Sequence, residues 1–311
     1  MSDLFNVSTN PHVRSKDTTQ TIMRDVLIAL TPASIFGIYN FGLGALLRIV
    51  IGIAVCVAAE GAYQYFMHKK VTISDLSAAV TGLLIALNVP PTLNIGYEIV
   101  GCLFAIIIVK QLFGGLGQNF MNPALAARCF LLIAYTGPMT KFVYDGVAGA
   151  TPLAVLKPGG EAEGAVKLLD MFIGRTGGVI GETSVLAILI GAVILLFTRI
   201  ASWKTMVSVF VGGAVMSLIF NMVGTTVSMC VSPLDHLFLG GFAFGAVFMA
   251  TDPVTSARTE TGKYIYGFLV GAMAIIIRAL NPGYPEGMML AILLMNVFAP
   301  LIDYYVVEAN I

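Results

Sequence analysis

The sequence predicts an all-α integral membrane protein of about ten transmembrane helices. They form two inverted five-helix repeats, with short or broken helices at the repeat interface. Three observations carry that prediction. Hydrophobic residues make up 58% of the 311 residues, with mean hydropathy +0.90 and 11% charged residues, against roughly 25% charged in soluble domains. The apolar residues lie in long continuous runs, not in the alternating segments of an outer-membrane barrel. The second half of the chain also repeats signatures of the first. So few charges cannot coat a soluble globule of 33.0 kDa. That excludes a cytosolic enzyme, a disordered tail and a nucleic-acid binder. With 17 basic and 17 acidic residues the net charge is zero, so no global field attracts nucleic acid. The partner of most of this surface is the lipid bilayer.

Residues 1–23 are polar and read as a cytoplasmic N-terminal segment. No small-residue cleavage site follows a short apolar core, so the first run is not a signal peptide. Helix-length apolar runs then fall at 24–41, 43–67, 76–89, 97–115, 122–137, 183–200, 203–222, 235–251, 263–280 and 286–306. The third is only about 14 residues long and ends at Pro90-Pro91, where helix is disfavoured. The first repeat is 24–137, a long loop is 138–182, the second repeat is 183–306 and 307–311 is a tail. Lys and Arg set the orientation. Arg14, Lys16, Arg24, Lys69, Lys70, Lys110, Arg199, Lys204, Arg258 and Lys263 fall on one side. Only Arg48, Lys141, Lys157, Lys167, Arg175 and Arg278 fall on the other, four of them in the long loop. Both termini are therefore expected in the cytoplasm, with the long loop outside.

The repeat is carried by spacing. Gly82 to Pro90 (GLLIALNVP) reads against Gly245 to Pro253 (GAVFMATDP), and Gly96 to Gly101 against Gly262 to Gly267. An apolar helix follows each second element. Five crossings are an odd number, so the halves have opposite topology, and such folds bind ligands near the midplane at Gly/Pro-interrupted segments. Asn88, Asp252, Thr255 and Ser256 lie at the two breaks and offer polar partners to unpaired backbone. Two ordinary proline-terminated helix ends are the simpler reading of the same residues.

Charge inside a bilayer is costly and marks function or pairing. Glu60 lies in the second run and is read as functional. Asp252 opens the second break. Carboxylates of this kind can hold a small cation or carry a proton. Asp303 lies near a helix end, where interfacial anchoring explains it equally well. Arg128, in the fifth run, is expected in a structural ion pair, because a guanidinium needs several acceptors. In the Gly-rich stretch Gly114 to Pro123 (GGLGQNFMNP), Asn122 reads as the N-cap of a helix with Pro123 at its first position. Gln118 and Asn119 remain, beside glycines that let a planar polar ligand approach backbone. GxxxxGK[ST] is absent, so this is no phosphate-binding loop. Cys56, Cys102, Cys129 and Cys230 have neither CxxC nor zinc spacing and read as buried apolar residues.

The loop 138–182 contains Asp145, Gly149, Ala150 and Thr151, followed by Pro152. By itself Gly-Ala-Thr is a turn. Together with Pro11-His12 and Arg14, with Gly117 to Pro123 (GQNFMNP), and with Ala250 to Ser256 (ATDPVTS), it resembles the NqrB/RnfD family along essentially the whole chain. These are the large membrane subunits of the Na+-pumping NADH:quinone reductase and of the Rnf complex. The resemblance implies FMN joined to Thr151 by a phosphoester, installed by a flavin transferase, in a prokaryotic inner-membrane complex. Asp145, Gly149 and Ala150 match the motif around it, and Ala148 stands where a hydroxyl residue is usual. The family also implies a second, non-covalent flavin (riboflavin in relatives) near Asn119, Asn122, Asp252 and Thr255. It makes Glu60, Asp252 and Asp303 candidates for an ion path. The long N-terminal extension of the quinone-reductase subunit is missing, which points to the Rnf branch. That implies ferredoxin oxidation coupled to NAD+ reduction and Na+ or H+ export, with other membrane and peripheral Rnf subunits as partners. A complete active site is not expected in one subunit, and no metal is assigned to it. The alternatives are the NqrB-type subunit and, from the topology alone, a secondary transporter or channel without a chromophore.

Overall fold

The computed structural model describes residues 18–144, 147–148, 168–224, 226, 229–281 and 286–309. Asp145, Gly149, Ala150, Thr151 and the entry residues Pro11, His12 and Arg14 lie outside them.

Helix α1 (Thr19–Phe41) starts at a capping box in which Thr18 and Thr21 bond each other's backbone. It carries Pro32 internally, and Thr31 and Ser34 donate to the Leu27 and Leu30 carbonyls around that site. The turn at Gly42 (φ +70) leads into α2 (Leu43–Phe66). A single 3-10 turn, Ile73–Asp75, precedes α3 (Ser77–Leu87), whose eleven residues are all buried. Helix α4 (Ile95–Leu103) continues as a π-helix over Phe104–Gln111. Helix α5 (Pro123–Ala134) begins at Asn122 with Pro123 in its first turn, as the spacing predicts. The short α6 (Thr136–Met139) follows, then a hairpin of β1 (Val143–Tyr144) and β2 (Val147–Ala148), and α7 (Leu168–Ile173).

Helices α8 (Val185–Phe197) and α9 (Trp203–Val223) start at Ser184 and Ser202, each hydroxyl accepting from a first-turn N–H. The predicted run 235–251 is two pieces. Helix α10 (Pro233–Phe238) stops before Gly240 (φ +59), and α11 (Phe242–Phe244) runs on as a π-helix over Gly245–Met249. A side chain at Gly240 would be strained in that left-handed backbone, so the helix turns where hydropathy alone reads it as continuous. Helices α12 (Glu260–Leu280) and α13 (Met288–Glu308) complete the fold.

Among the described residues, α1, α2, α9, α12 and α13 are long and apolar enough to cross a membrane, while α3, α5 and α8 are shorter apolar helices. Their outer faces stay apolar, with Ile35, Val50, Val193 and Val297 more than half exposed. That is the surface lipid covers.

Residue pairs give the helix directions. Arg48 meets Glu98, Gly52 meets Cys102 and Glu60 meets Lys110, each pair 50 residues apart, so α2 and α4 run parallel. Likewise Gly212 meets Phe268, and Lys204 meets Glu260, both 56 apart, so α9 and α12 run parallel. Gly37 touches Ile180, just before α8, while Gly191 touches Ala29, so α1 and α8 are antiparallel. The core sites of approach are glycines: Gly82 lies on the Gly52 carbonyl, and Gly271 on that of Val209. Apolar lipid gives helices no hydrophobic reason to associate, and small residues let backbones pack closely instead.

Candidate functional site

A cavity lies between α1, α3, α5, the end of α8 and the break after α11. Ile22, Val80, Leu84, Leu195 and Phe248 give it apolar walls, and its polar points include Thr81, Lys110, Asn119, Asn122 and Asp252. A small-molecule site is built this way, mostly apolar with few polar groups that set orientation.

Local structure places each polar group. Asn122 Oδ1 accepts from Ala124 N at 3.0 Å and Leu125 N at 3.3 Å. Its amide nitrogen donates to nothing among the described residues. The loop before it turns through Gly114, Gly115 and Gly117, all at positive φ, and brings Asn119 to the cavity, where its Nδ2 donates to the Met121 carbonyl at 3.1 Å. Asp252 accepts from Val254 N and from Thr255 Oγ1, both at 3.0 Å. Thr255 therefore supports Asp252 and does not itself line the cavity.

Glu60 reaches the cavity through an intermediary. Lys110 Nζ lies 2.9 Å from Glu60 Oε2 and 2.6 Å from Ser77 Oγ, and Gln111 Nε2 donates to Glu60 Oε1 at 2.7 Å. Glu60 and Lys110 are both fully buried. Consecutive positions diverge less around a π-helix than around an α-helix, and here both reach the one carboxylate. Asp303 stands apart, outside the cavity lining. Its carboxylate accepts from Arg258 N (2.7 Å), Thr259 N (3.0 Å) and Thr259 Oγ1 (2.6 Å), across the start of α12. A negative charge there complements the helix dipole.

A second buried cluster lies one turn further along α3 and α5. Arg128 bonds Asn88 Oδ1 at 3.2 Å and pairs with Glu286 at 2.5 Å, the ion pair that an intramembrane guanidinium requires. Glu182 joins them. Its Oε1 accepts from Val179 N, while its Oε2 has no hydrogen-bond partner among the described residues. A Cβ at Gly241 would sit 2.7 Å from that oxygen and 3.0 Å from Glu286 Oε1, so glycine there makes room for two carboxylates. Burial, reinforced by the Glu286 carboxylate, pushes the Glu182 carboxyl up to about 7. Arg278 donates to the His236 and Leu239 carbonyls at the end of α10. A third pair, Arg48 with Glu98 at 3.3 Å, also binds the Pro91 carbonyl beyond α3.

Sequence reasoning missed the partners Lys110, Glu98, Glu182, Glu286 and Arg278. The usable signal was the shared separation of 50 residues between Arg48 and Glu98 and between Glu60 and Lys110. Nothing comparable marks the Arg128 cluster, whose members come from four separate segments.

Residues 6–311 match the model of the NQR2, RnfD, RnfE family. The chain is 44% identical over 310 residues to the D subunit of the Na+-translocating ferredoxin:NAD+ oxidoreductase complex of Acetobacterium woodii, covering 98% of this chain and 94% of that one. It is 39% identical over 362 residues to the B subunit of the Na+-translocating NADH-quinone reductase of Haemophilus influenzae, with 97% and 87% covered. Against the same subunit of Klebsiella pneumoniae identity is 49% over 245 residues, with 75% and 60% covered. A family match over nearly the whole length, on a scaffold with five membrane-length helices, makes this a multi-pass membrane protein that belongs to the NQR2, RnfD, RnfE family.

Proposed function

We propose that this chain is the D-type electron-carrying membrane subunit of a ferredoxin:NAD+ oxidoreductase complex that couples electron transfer to Na+ or H+ translocation. The observation that carries this reading is the near end-to-end match to the Acetobacterium woodii protein, over 98% of this chain and 94% of the relative. The reading as the B-type component of an NADH-quinone reductase rests on the 39% match, which covers 87% of that relative.

In this reading the chain crosses a prokaryotic inner membrane ten times, as two inverted repeats with both termini in the cytoplasm. The parallel pairs α2/α4 and α9/α12, and the antiparallel contact of α1 with α8, support it. So does the meeting of the two breaks, where Asn88 Nδ2 lies 3.8 Å from Met249 Sδ. FMN is carried covalently on Thr151, in an outside loop where Asp145, Gly149 and Ala150 complete the motif. A flavin transferase installs it, and the other membrane and peripheral Rnf subunits pass electrons to and from it.

The cavity suits a second, non-covalent flavin such as riboflavin. Its apolar walls match a flat aromatic ring, and Asn119 and Asn122 provide amide groups, one of which has a free NH2. When bound, a flavin supplies one- and two-electron transfer. The chain excludes water with Val80, Leu84 and Phe248 and keeps a buried ammonium, Lys110, at the wall. Glu60, Asp252 and Asp303 remain the candidates for the ion path, Asp252 on the cavity itself.

The test is in-gel flavin fluorescence of the denatured chain, co-expressed with its flavin transferase, beside Thr151→Ala. A fluorescent wild-type band and a dark mutant band are expected. A dark wild-type band would remove the covalent flavin on Thr151 from this reading.

A further inference from the structure

A second concavity, open on one side, lies where α8 ends and α9 and α12 begin. It adjoins the first cavity, with Thr251 and Pro253 lining both. Its rim is basic: Arg199, Lys204, Arg258 and Lys263 line it, with Glu260 as the one carboxylate. Glu260 holds the two lysines, at 2.6 Å each. The next carboxylate, Asp303, is occupied by the backbone of Arg258 and Thr259. Arg199 and Arg258 are left without an acidic partner among the described residues.

Arg199 is also held at a conformational cost. It sits just past the end of α8 at φ +57, where Ile200 N closes back on the Leu195 carbonyl. Glycine is the usual residue in such a helix stop, because it takes left-handed backbone without strain. An unpaired arginine kept in that place suggests a ligand for the guanidinium. The ligand must also be amphiphilic. Trp203 lines the concavity half-exposed, edge-on to Tyr264, and the exposed apolar faces of α8 and α9 continue from it through Phe197, Val193 and Val207. Aromatic side chains with basic neighbours occupy the headgroup level of a bilayer, and basic clusters there attract anionic lipids.

We propose that this concavity is a binding site for the phosphate headgroup of an anionic phospholipid, held by Arg199 and Arg258, with the acyl chains along α8 and α9. Trp203 is the single tryptophan of the chain, so its fluorescence reports on this site alone. The full chain in nanodiscs is titrated with phosphatidylglycerol or phosphatidylcholine carrying brominated acyl chains. Phosphatidylglycerol should quench Trp203 at a several-fold lower mole fraction than phosphatidylcholine. Arg199→Gln with Arg258→Gln should bring the two curves together. Arg199→Gly, which removes the backbone strain, should raise the melting temperature and still weaken the preference, separating ligand loss from misfolding. Equal quenching by the two lipids in the wild type would overturn the proposal, as would a preference that survives in all variants. Reversal of quenching by millimolar inorganic phosphate at fixed ionic strength would assign the site to free phosphate and overturn the lipid.

Discussion

Lys110 and Glu60 form a fully buried ion pair with Ser77 and Gln111 as their remaining partners. Removing one member leaves the other as an uncompensated charge inside the protein. Glu60→Gln or Lys110→Met is therefore expected to lower stability by about 3–5 kcal/mol, whereas the double variant costs much less than the sum. Thermal unfolding of the four proteins in one detergent measures this. Additive losses would show that the pair is not a unit. Glu60 reads as functional because a lone acid in an apolar run is costly. The structure supplies the charge that the run 97–115 already contained but that the sequence could not attach to it.

At the scale of elements, glycines decide which helices touch. Gly271 of α12 lies on the Val209 carbonyl of α9, and Gly267, one turn earlier, lies 2.6 Å by its Cβ position from the Thr205 carbonyl. No flexible side chain can give way there, because the obstacle is backbone. Gly271→Val is expected to separate the helices and lower the melting temperature more than Gly44→Val, since Gly44 has open space around it. Equal effects of the two substitutions on heat-induced loss of the monodisperse peak would count against the close contact. The caps at Thr18, Asn122, Ser184, Ser202 and Thr259 were legible in advance only in part. Asn122 with Pro123 is legible because two signals coincide, whereas a lone Ser before an apolar run is common. The break at Gly240 is not legible, because one glycine inside a hydrophobic run does not by itself end a helix.

The whole molecule is tied together by Glu182, Arg128, Glu286 and Arg278, which come from α5, α12 and the segments before α8 and α13. Glu182 has its carboxyl raised from an ordinary value of 4.5 to about 7. Between those values the folded chain binds a proton that the unfolded chain has released. Stability is therefore full below about 4.5 and falls as pH rises through about 7. Glu182→Gln keeps the shape without the charge. Its melting temperature should vary less than that of the wild type as pH rises from about 5 to about 8, the interval in which the raised carboxyl loses its proton, and exceed the wild type at the alkaline end. A variant with the same pH slope as the wild type would assign the dependence to another group.

The sequence by itself determined the solvent, the helical class, the positions of the five long apolar helices and, through motifs scattered from the N-terminal segment to Ser256, the family. These follow from composition and local order, because a span in lipid must be apolar for its whole length and must satisfy its own backbone. Only the tertiary structure decided which charges neutralise which. It joined Lys110 to Glu60 and Arg128 to Glu286, set Asp252 on a cavity with Asn119 and Asn122, and put Asp303 at the start of α12. Those partners are 44 to 158 residues apart in the chain. Pairing at such separations depends on helix direction, rotation and close approach at glycines, none of which leaves a periodic trace in one sequence.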